Sequence, residues 1–258
     1  MVLFEWQGIM LNVLYPFMTI ALSYALVTSY RFSIEVRNRR EMVHLFEMNV
    51  SPARAQAAMT AVQRGDITLG GQIQEITALN VHIFGFNTVA EMYDPGTMMA
   101  HLRQFQEIIR QGIMDQEGTV VQIEGEKMSA IFNAPLPQSD HARRAIFAVF
   151  AIEDGLAAYQ ATLAPGHEHR SVNFQYGISS GQALVGNIGS EERYRYGALG
   201  EAVTLASQLA EQAQPAQCFV GETTKNQVAD LVKVEALPPV MLKGRQEPLI
   251  AYTAVRRQ

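Results

Sequence analysis

Cysteine is almost absent from this chain of 258 residues, which also has a single tryptophan. One cysteine excludes an intramolecular disulfide, so the fold has to be held by its core. Cys218 lies in an apolar run shortly before Gly221, which predicts a buried hydrophobic side chain, with a reactive thiol as the alternative. A reduced, cytosolic environment suits such a chain.

Basic charge is not in excess either. The formal net charge is −5, and residues 71–258 carry fourteen Lys and Arg against twenty Asp and Glu. Proteins that bind nucleic acid present clustered positive charge, so we expect no nucleic acid partner. The hydrophobic content of 48% is ample for a buried core and excludes general disorder.

Charge is missing altogether from residues 7–30, which are rich in Leu, Ile, Val, Met and Ala. At about 1.5 Å per residue, a helix of this length crosses a hydrocarbon layer roughly 30 Å thick. Trp6 and Tyr30 flank the run, and the basic segment that begins at Arg31 favours a cytoplasmic carboxyl side. A single transmembrane helix in contact with lipid is therefore predicted. A signal peptide is disfavoured because acidic Glu5, and no basic region, precedes the run; a buried core helix is the other alternative.

The following residues, 31–70, read as a linker between the membrane helix (1–30) and a globular domain (71–258). Apolar side chains spaced as in a short coiled coil indicate a signalling helix, while a merely solvated helix is the alternative. The Ser51-Pro52 pair predicts the start of a second short helix, through Val62. The apolar stripe consists of Phe32, Val36, Val43 and Phe46.

Residues 71–258 alternate apolar strands with amphipathic helices, which predicts an α+β fold with one mixed sheet and helices on its faces. The polar run His167-Glu168-His169 contains metal-binding residue types, but it follows Pro165-Gly166 and predicts an exposed loop. The predicted strands are Ile73–Phe84, Thr119–Ile123, Met128–Phe132, Val172–Ile178 and Ala183–Asn187, with short ones near Phe219, Val232, Met241 and Ile250. The predicted helices are Thr97–Asp115, Asp140–Gln160 with Asp140 as its cap, and Glu201–Gln212.

Several separated motifs recur in the order found in one known family. They are Asn80–Asn87, Gly118–Glu126, Met128–Pro135, Asp140-His141-Ala142, Gly186–Ser190, Tyr196–Leu209 and Lys243-Gly244-Arg245. From about Ser51 to Val255 the chain resembles the catalytic domain of class III adenylate and guanylate cyclases. The resemblance implies a ferredoxin-like cyclase fold preceded by a membrane helix, as in bacterial receptors, and hence a bacterial inner-membrane protein with a cytoplasmic domain.

The family's metal positions are both substituted. Class III cyclases drive the ribose 3′-hydroxyl of ATP or GTP onto the α-phosphate, using divalent metals held by two aspartates. The resemblance places these aspartates at His82 and Glu126. An imidazole offers nitrogen to an ion that prefers oxygen, and a glutamate carries its carboxylate on a longer side chain. We therefore expect no cofactor, with magnesium or manganese required if the site is active.

The substrate and transition-state positions are substituted as well. The family reads the purine with a Lys and with an Asp or Thr, at positions that hold Gln122 and Gly197 here. An Asn that orients the ribose corresponds to Thr204, and an Arg that meets the phosphate charge corresponds to Gln208. A neutral amide cannot replace a bidentate cation. None of the six positions carries the family's residue.

Family members pair head to tail, and each shared site takes its metal residues from one chain and the other groups from its partner. This chain lacks both sets, so the resemblance implies a catalytically silent homodimer, or a heterodimer with another cyclase-type domain. Phosphate contacts with ATP or GTP are implied at Phe84, Gly85, Phe86 and Lys243. Glycines kept only for backbone reasons are the alternative.

Two further hypotheses stay open. One is a weak or unconventional adenylate cyclase that makes cAMP and pyrophosphate, with manganese or zinc at His82 and Glu126. The other is a remnant of a larger receptor cyclase whose sensor is encoded separately.

Overall fold

The computed structural model describes residues 16–30, 51–65, 71–90, 92–190, 193–239, 241 and 248–256. The chain divides into two compact units, Met1–Leu45 and Phe46–Gln258. Among the described residues, no helix is both long enough and apolar enough to span a bilayer. The predicted span over residues 7–30 includes residues 7–15, which lie outside the described part, and so does the predicted coiled-coil stripe. Both stay predictions.

The described helices and strands alternate along the chain. The helices are α1 (residues 16–30), α2 (Pro52–Arg64), α3 (Phe86–Ala90), α4 (Pro95–Asp115), α5 (His141–Thr162), α6 (Glu201–Gln212) and α7 (Glu222–Val228). The strands are β1 (Gln72–Phe84), β2 (Thr119–Glu124), β3 (Lys127–Phe132), β4 (Asn173–Ser190), β5 (Arg193–Leu199), β6 (Cys218–Val220), β7 (Val232–Ala236) and β8 (Tyr252–Arg256). A short 3-10 helix covers Glu168–Ser171.

Within the described residues, these eight strands form one mixed sheet in the order β2-β3-β1-β4-β6-β8-β7, with β5 paired to the distal half of β4. The β4–β6 pair is parallel, and the other pairs are antiparallel. Strand β1 lies between β3 and β4 and is paired along its whole length with β4. The expected α+β fold, with a mixed sheet and helices on its faces, is confirmed.

Alternate residues of β1 point to two separate cores, as the period of two in a strand requires. Leu79, Val81 and Ile83 belong to the larger core, which includes the buried faces of α4 and α5. Ile76 and Ala78 belong to a smaller core on the other face, to which α2 and α6 contribute. The sheet is therefore covered by helices on both faces.

Strand β4 differs from its prediction. Two strands were expected, at Val172–Ile178 and Ala183–Asn187, and glycines between them weaken a strand pattern. The structure has one strand, Asn173–Ser190, since the hydrogen-bond ladder with β1 continues through the glycines from Asn173 to Val185. Long-range pairing thus overrides a local preference for a break.

One of these glycines allows α6 to lie directly on β4. A Cβ atom built at Gly177 would be 2.0 Å from the carbonyl oxygen of Ala206 and 2.3 Å from the backbone nitrogen of Ala210. Both atoms belong to the α6 backbone, so no side-chain movement relieves the clash. The distance between helix and strand therefore depends on the missing side chain.

The prediction that Asp140 caps α5 is right about its position and wrong about its hydrogen bonds. Asp140 occupies the N-cap position, but its carboxylate makes no capping hydrogen bond to the backbone. It accepts instead from Nε of Arg144 at 2.7 Å, and this hydrogen bond lowers the pKa of Asp140. Arg144 Nη1 also binds Glu117, which is shared with Arg54 of α2. The acidic side chain thus joins a network that ties α2 to the larger domain.

The expectation of an exposed loop at His167-Glu168-His169 holds for the exposed Glu168 but is wrong for His169 and for the backbone, which forms a short 3-10 helix from Glu168. His169 is 0% exposed, and its ring packs against His101, with 4.0 Å between centroids, and against Phe105 at 5.5 Å. Burial lowers the pKa of His169 to about 4, so the neutral imidazole is favoured. No group of three or more His, Cys, Asp and Glu residues in the described ranges is arranged to hold a metal ion.

The carboxyl-terminal strands are only partly as expected. Strand β5 was not predicted, although its first four residues, Arg-Tyr-Arg-Tyr, alternate between charged and aromatic side chains. Met241 lies outside any strand, and the last strand begins at Tyr252, later than Ile250. Cys218 is buried in β6, and burial raises the pKa of its thiol, which confirms the hydrophobic interpretation.

The Gly177→Ala substitution is expected to destabilise the protein by about 3 kcal/mol or more, because it forces α6 away from β4. Gly181→Ala on the same strand is the matched control, since its Cβ would lie 3.5 Å from the Ala202 side chain, an ordinary contact. We expect the control to change stability by less than about 1 kcal/mol. Urea unfolding followed by circular dichroism measures both, and equal losses would contradict the proposed contact.

Candidate active site

The site begins with a hydrogen-bond chain that crosses from β1 to α6. His82 faces Gln175 of β4 across the sheet, and the His82 Nδ1 atom lies 2.9 Å from Gln175 Oε1. The amide nitrogen of Gln175 donates to the carbonyl oxygen of Ala213, the C-cap residue of α6. Because the Gln175 oxygen is therefore the acceptor, the network assigns a proton to His82 Nδ1.

Glu126 lies on the other side of the imidazole. Its Oε2 atom is 3.7 Å from His82 Nε2, and about a quarter of each side chain is exposed. The hairpin between β2 and β3 is fixed there because the Ile83 N–H donates to the Glu126 carbonyl oxygen at 2.8 Å. The structure thus brings together the two residues that the resemblance placed at the metal positions.

This donor set does not fit a pair of magnesium ions. Magnesium prefers a near-octahedral shell of oxygen atoms, and two such ions need bridging carboxylates. His82 and Glu126 provide one nitrogen and one carboxylate, and in the part of the chain that the structure describes no third His, Cys, Asp or Glu completes a metal-binding group. The charge that would balance two divalent cations is missing.

The two transition-state positions lie on α6, one turn apart. The hydroxyl of Thr204 donates to the carbonyl oxygen of Gly200 at 3.3 Å, so it is engaged with the backbone of its own helix. Gln208 is half-buried and has no charge to offer a phosphate. Neither side chain can supply the planar, bidentate cation that stabilises a developing phosphate charge.

The two purine positions lie on β2 and β5. The amide of Gln122 donates to the carboxylate of Glu124 on the same strand. Gly197 has no side chain, and a Cβ atom there would lie 3.2 Å from the flexible end of Ile188, with a backbone outside the left-handed region. The backbone therefore does not demand glycine at position 197, and the loss of a purine-reading group is not imposed by the fold.

The turn after β1 contains three of the residues at which phosphate contacts were predicted, Phe84, Gly85 and Phe86. Gly85 has φ +83, a conformation that other residues rarely adopt, and α3 begins at the next residue. Phe84 is partly exposed, whereas Phe86 is buried and contacts the Phe105 ring edge-on. The positive φ by itself accounts for the glycine. Lys243 lies outside the described residues.

Two contacts of this site have no signal in the sequence. Gln175 was not predicted, because its position beside His82 follows from the register of two strands far apart in the chain. Lys127, next to Glu126, pairs with Glu211 of α6 at 2.6 Å, and both side chains are partly exposed. A cation at the edge of the cleft is therefore engaged by an intramolecular partner.

The comparisons with known proteins agree with this geometry. The family model described as "Adenylate and Guanylate cyclase catalytic domain" matches residues 70–254. The chain belongs to this family. Adenylate cyclase 1 of Rhizobium meliloti (strain 1021) is 31% identical over 186 residues, which are 70% of this chain and 28% of that protein. The cyclase domain described here thus corresponds to less than a third of that relative.

Solved structures show the same fold. The adenylyl cyclase CyaB from P. aeruginosa superimposes with a TM-score of 0.67 at 20% identity, over 74% of this chain and 98% of that chain. The guanylyl cyclase Cya2 superimposes with a TM-score of 0.64 at 26% identity, over 73% of this chain and 96% of that chain. The expected class III cyclase fold is therefore confirmed for the cyclase domain.

The His82→Asp substitution is expected to make folding stability depend on manganese. The substitution places two carboxylates side by side and removes the hydrogen-bond donor to Gln175. In the presence of a chelator, we therefore expect the melting temperature of the variant to be lower than that of the wild type. Millimolar manganese should then raise it, since a ligand at 100 times its Kd stabilises the folded state by about 2.7 kcal/mol. The His82→Asp/Glu126→Gln double variant is the control. If manganese raised the melting temperature of the wild-type protein as much as that of His82→Asp, the conclusion that His82 and Glu126 are a poor metal-binding pair would be contradicted.

Proposed function

We propose that this chain is a membrane-anchored class III cyclase homology module without cyclase turnover, which acts by pairing with a second cyclase-type domain. The observation that carries this proposal is the chain of contacts through His82. Its Nδ1 atom is bound to Gln175, which in turn is bound to Ala213, and its Nε2 atom faces Glu126. At the place where the family binds metal with two carboxylates, the Nδ1 side of the imidazole is thus engaged by the protein and a single carboxylate remains.

The magnitude of the expected loss supports a silent site. Each tenfold decrease in rate corresponds to about 1.4 kcal/mol of lost transition-state stabilisation. Removing a single preorganised charge-stabilising group typically costs about 100- to 1,000-fold. At this site a metal carboxylate is replaced by His82 and the phosphate-facing cation by Gln208. Since in this family each shared site draws on both partners, a complete partner leaves both sites deficient.

Pairing is supported by an exposed apolar patch on the sheet, formed by Ile73, Leu184 and Leu199. Leu184 is the direct cross-strand neighbour of both other residues, on β1 and β5 respectively. The three side chains are 75%, 45% and 54% exposed. Contiguous apolar side chains on a surface usually mark an interaction site. The partner is a second copy of this chain or another cyclase-type domain, with ATP or GTP as the nucleotide class that the cleft would admit.

The anchor is the apolar run over residues 7–30, of which residues 16–30 form helix α1. With basic residues following Tyr30, the cyclase domain faces the cytoplasm of a bacterial cell. In this arrangement the segment over residues 31–70 connects the membrane with the domain. The Arg54–Glu117 ion pair, 2.8 Å long, attaches α2 to the rest of the cyclase domain. Movement of the linker would reach the domain through this contact.

A weak, manganese- or zinc-dependent adenylate cyclase is the second candidate. The observation that favours it is the orientation of His82, whose unprotonated Nε2 atom faces the Glu126 carboxylate at 3.7 Å. A nitrogen lone pair beside a carboxylate is a pair of donors that transition metals accept more readily than magnesium does. Activity would then require that metal and be lost when Glu126 becomes Gln.

An activity assay separates the two candidates. The purified 258-residue chain, in mild detergent with manganese and ATP or GTP, is expected to form no cyclic nucleotide above a protein-free blank. Substituting aspartate at both 82 and 126 should not restore activity, because the groups supplied by the partner chain remain absent. Sustained formation of cyclic nucleotide that is abolished by Glu126→Gln would contradict the proposal that the module is catalytically silent. The positive control restores the family residue at every position: His82→Asp, Glu126→Asp, Gln122→Lys, Gly197→Asp, Thr204→Asn and Gln208→Arg.

Substituting the central residue of the apolar patch tests pairing. Leu184→Glu is expected to raise the dimer dissociation constant at least about tenfold, because it buries a charge in an apolar contact. Met99→Glu, at an exposed apolar residue of α4, is the matched control and should leave the constant unchanged. Sedimentation equilibrium of the full chain in mild detergent measures both, and equal constants for the two variants would refute this interface.

A further inference from the structure

A cavity of about 460 Å³ lies between α5 and the strands at the carboxyl-terminal edge of the sheet. This volume falls in the range of about 300–1,000 Å³ that is typical of small-molecule sites. Its walls come from α5, from the β4–β6 region and from the β7–β8 pair, and they include none of the six cyclase positions. It is therefore a separate feature from the cleft at His82.

The polar centre of this cavity is a carboxyl group. Tyr176, which is 1% exposed, donates its phenolic hydroxyl to Glu153 Oε1. Across the residues for which the structure gives side-chain contacts, no cation pairs with Glu153. Arg256 also lines the cavity, but its Nη1 atom binds both carboxylate oxygens of Asp154 at 3.0 and 3.1 Å, and its guanidinium lies over the Phe150 ring.

The surroundings make an ionised Glu153 costly. Burial raises the pKa of Glu153 and the neighbouring Asp154 adds to the rise, while the hydrogen bond from Tyr176 opposes it. A half-buried carboxylate without a cation loses part of its hydration and gains no ion pair in return. A cationic ligand would supply the missing partner. The other carboxylate in the lining, Glu235, already has one, because Lys233 Nζ lies 2.6 Å away.

The apolar residues that line the cavity favour an organic cation over a metal ion. Val149, Phe150 and Ala254 form an apolar wall beside Glu153. A hydrated metal ion gains nothing from such a wall, whereas an organic amine places its apolar body there and its charged end at the carboxylate. An ammonium group donates up to three hydrogen bonds, so it can bind the free oxygen of Glu153 without displacing Tyr176.

We propose that this cavity binds a small organic cation, with its ammonium group paired to Glu153 and its apolar body against Val149, Phe150 and Ala254. The site does not depend on the proposed function of the cleft, and its test involves no nucleotide. Such a site gives the domain a way to sense a soluble amine.

Isothermal titration calorimetry of the full chain with two matched compounds tests the proposal. Tryptamine carries an ammonium group, and tryptophol replaces that group with a neutral hydroxyl. We expect tryptamine to bind at least about tenfold more tightly, because only it forms the ion pair. The Glu153→Gln variant should lose this preference. The Glu235→Gln variant is the matched control and should keep it, since Glu235 is engaged by Lys233.

A second variant covers the case in which Glu153→Gln does not fold. Ala236 is exposed at the rim of the cavity, so Ala236→Trp should leave the fold intact while filling the opening, and it should weaken tryptamine at least about tenfold. Circular dichroism checks that each variant is folded. Equal affinity for the two compounds, undetectable binding of tryptamine, or tryptamine binding unchanged in every folded variant overturns the proposal.

Discussion

The close contact between α6 and β4 at Gly177 is the constraint on which the cleft depends. With no side chain at this position, the helix backbone lies directly on the strand, because a Cβ atom would be only 2.0 Å from the Ala206 oxygen. This contact places the end of α6 where the Ala213 carbonyl accepts from Gln175, and Gln175 in turn orients His82. A change in the distance between helix and strand would therefore reach His82 through two hydrogen bonds.

The same reasoning separates the residues that the fold requires from those that the family's chemistry requires. Gly85 is required by its positive φ and Gly177 by close packing, so both glycines serve the fold whether or not a nucleotide binds. Backbone conformation and close packing make no such demand on the residues at the six cyclase positions. At position 82, an imidazole donates to Gln175 in place of the family's aspartate. The glycine motifs therefore indicate the fold of this family, whereas the side chains at the six cyclase positions bear on its activity.

Two carboxylates of this domain have opposite environments. Glu126 is partly exposed and faces an imidazole, and Lys127 beside it is bound to α6. Glu153 is half-buried, receives one hydrogen bond from Tyr176, and has no cation among the residues with described contacts. Glu126 is thus partly open to solvent beside an unprotonated nitrogen, whereas Glu153 is enclosed by the cavity and, in the described part of the chain, has only the Tyr176 hydroxyl as a partner. The enclosed carboxylate thus lies at the carboxyl-terminal edge of the sheet, away from the cleft at His82.

Most of the helix and strand pattern and the residues placed at the six cyclase positions followed from the sequence, because periodicity and motifs are local properties of a chain. The strand Ile73–Phe84 and the helix Thr97–Asp115 agree with β1 and α4 to within two residues. The continuity of β4, the burial of His169, the Asp140–Arg144 contact and the position of Gln175 did not follow. Each of these depends on which distant segments are paired and how closely they pack, and those choices are made only when the sheet and its helices assemble.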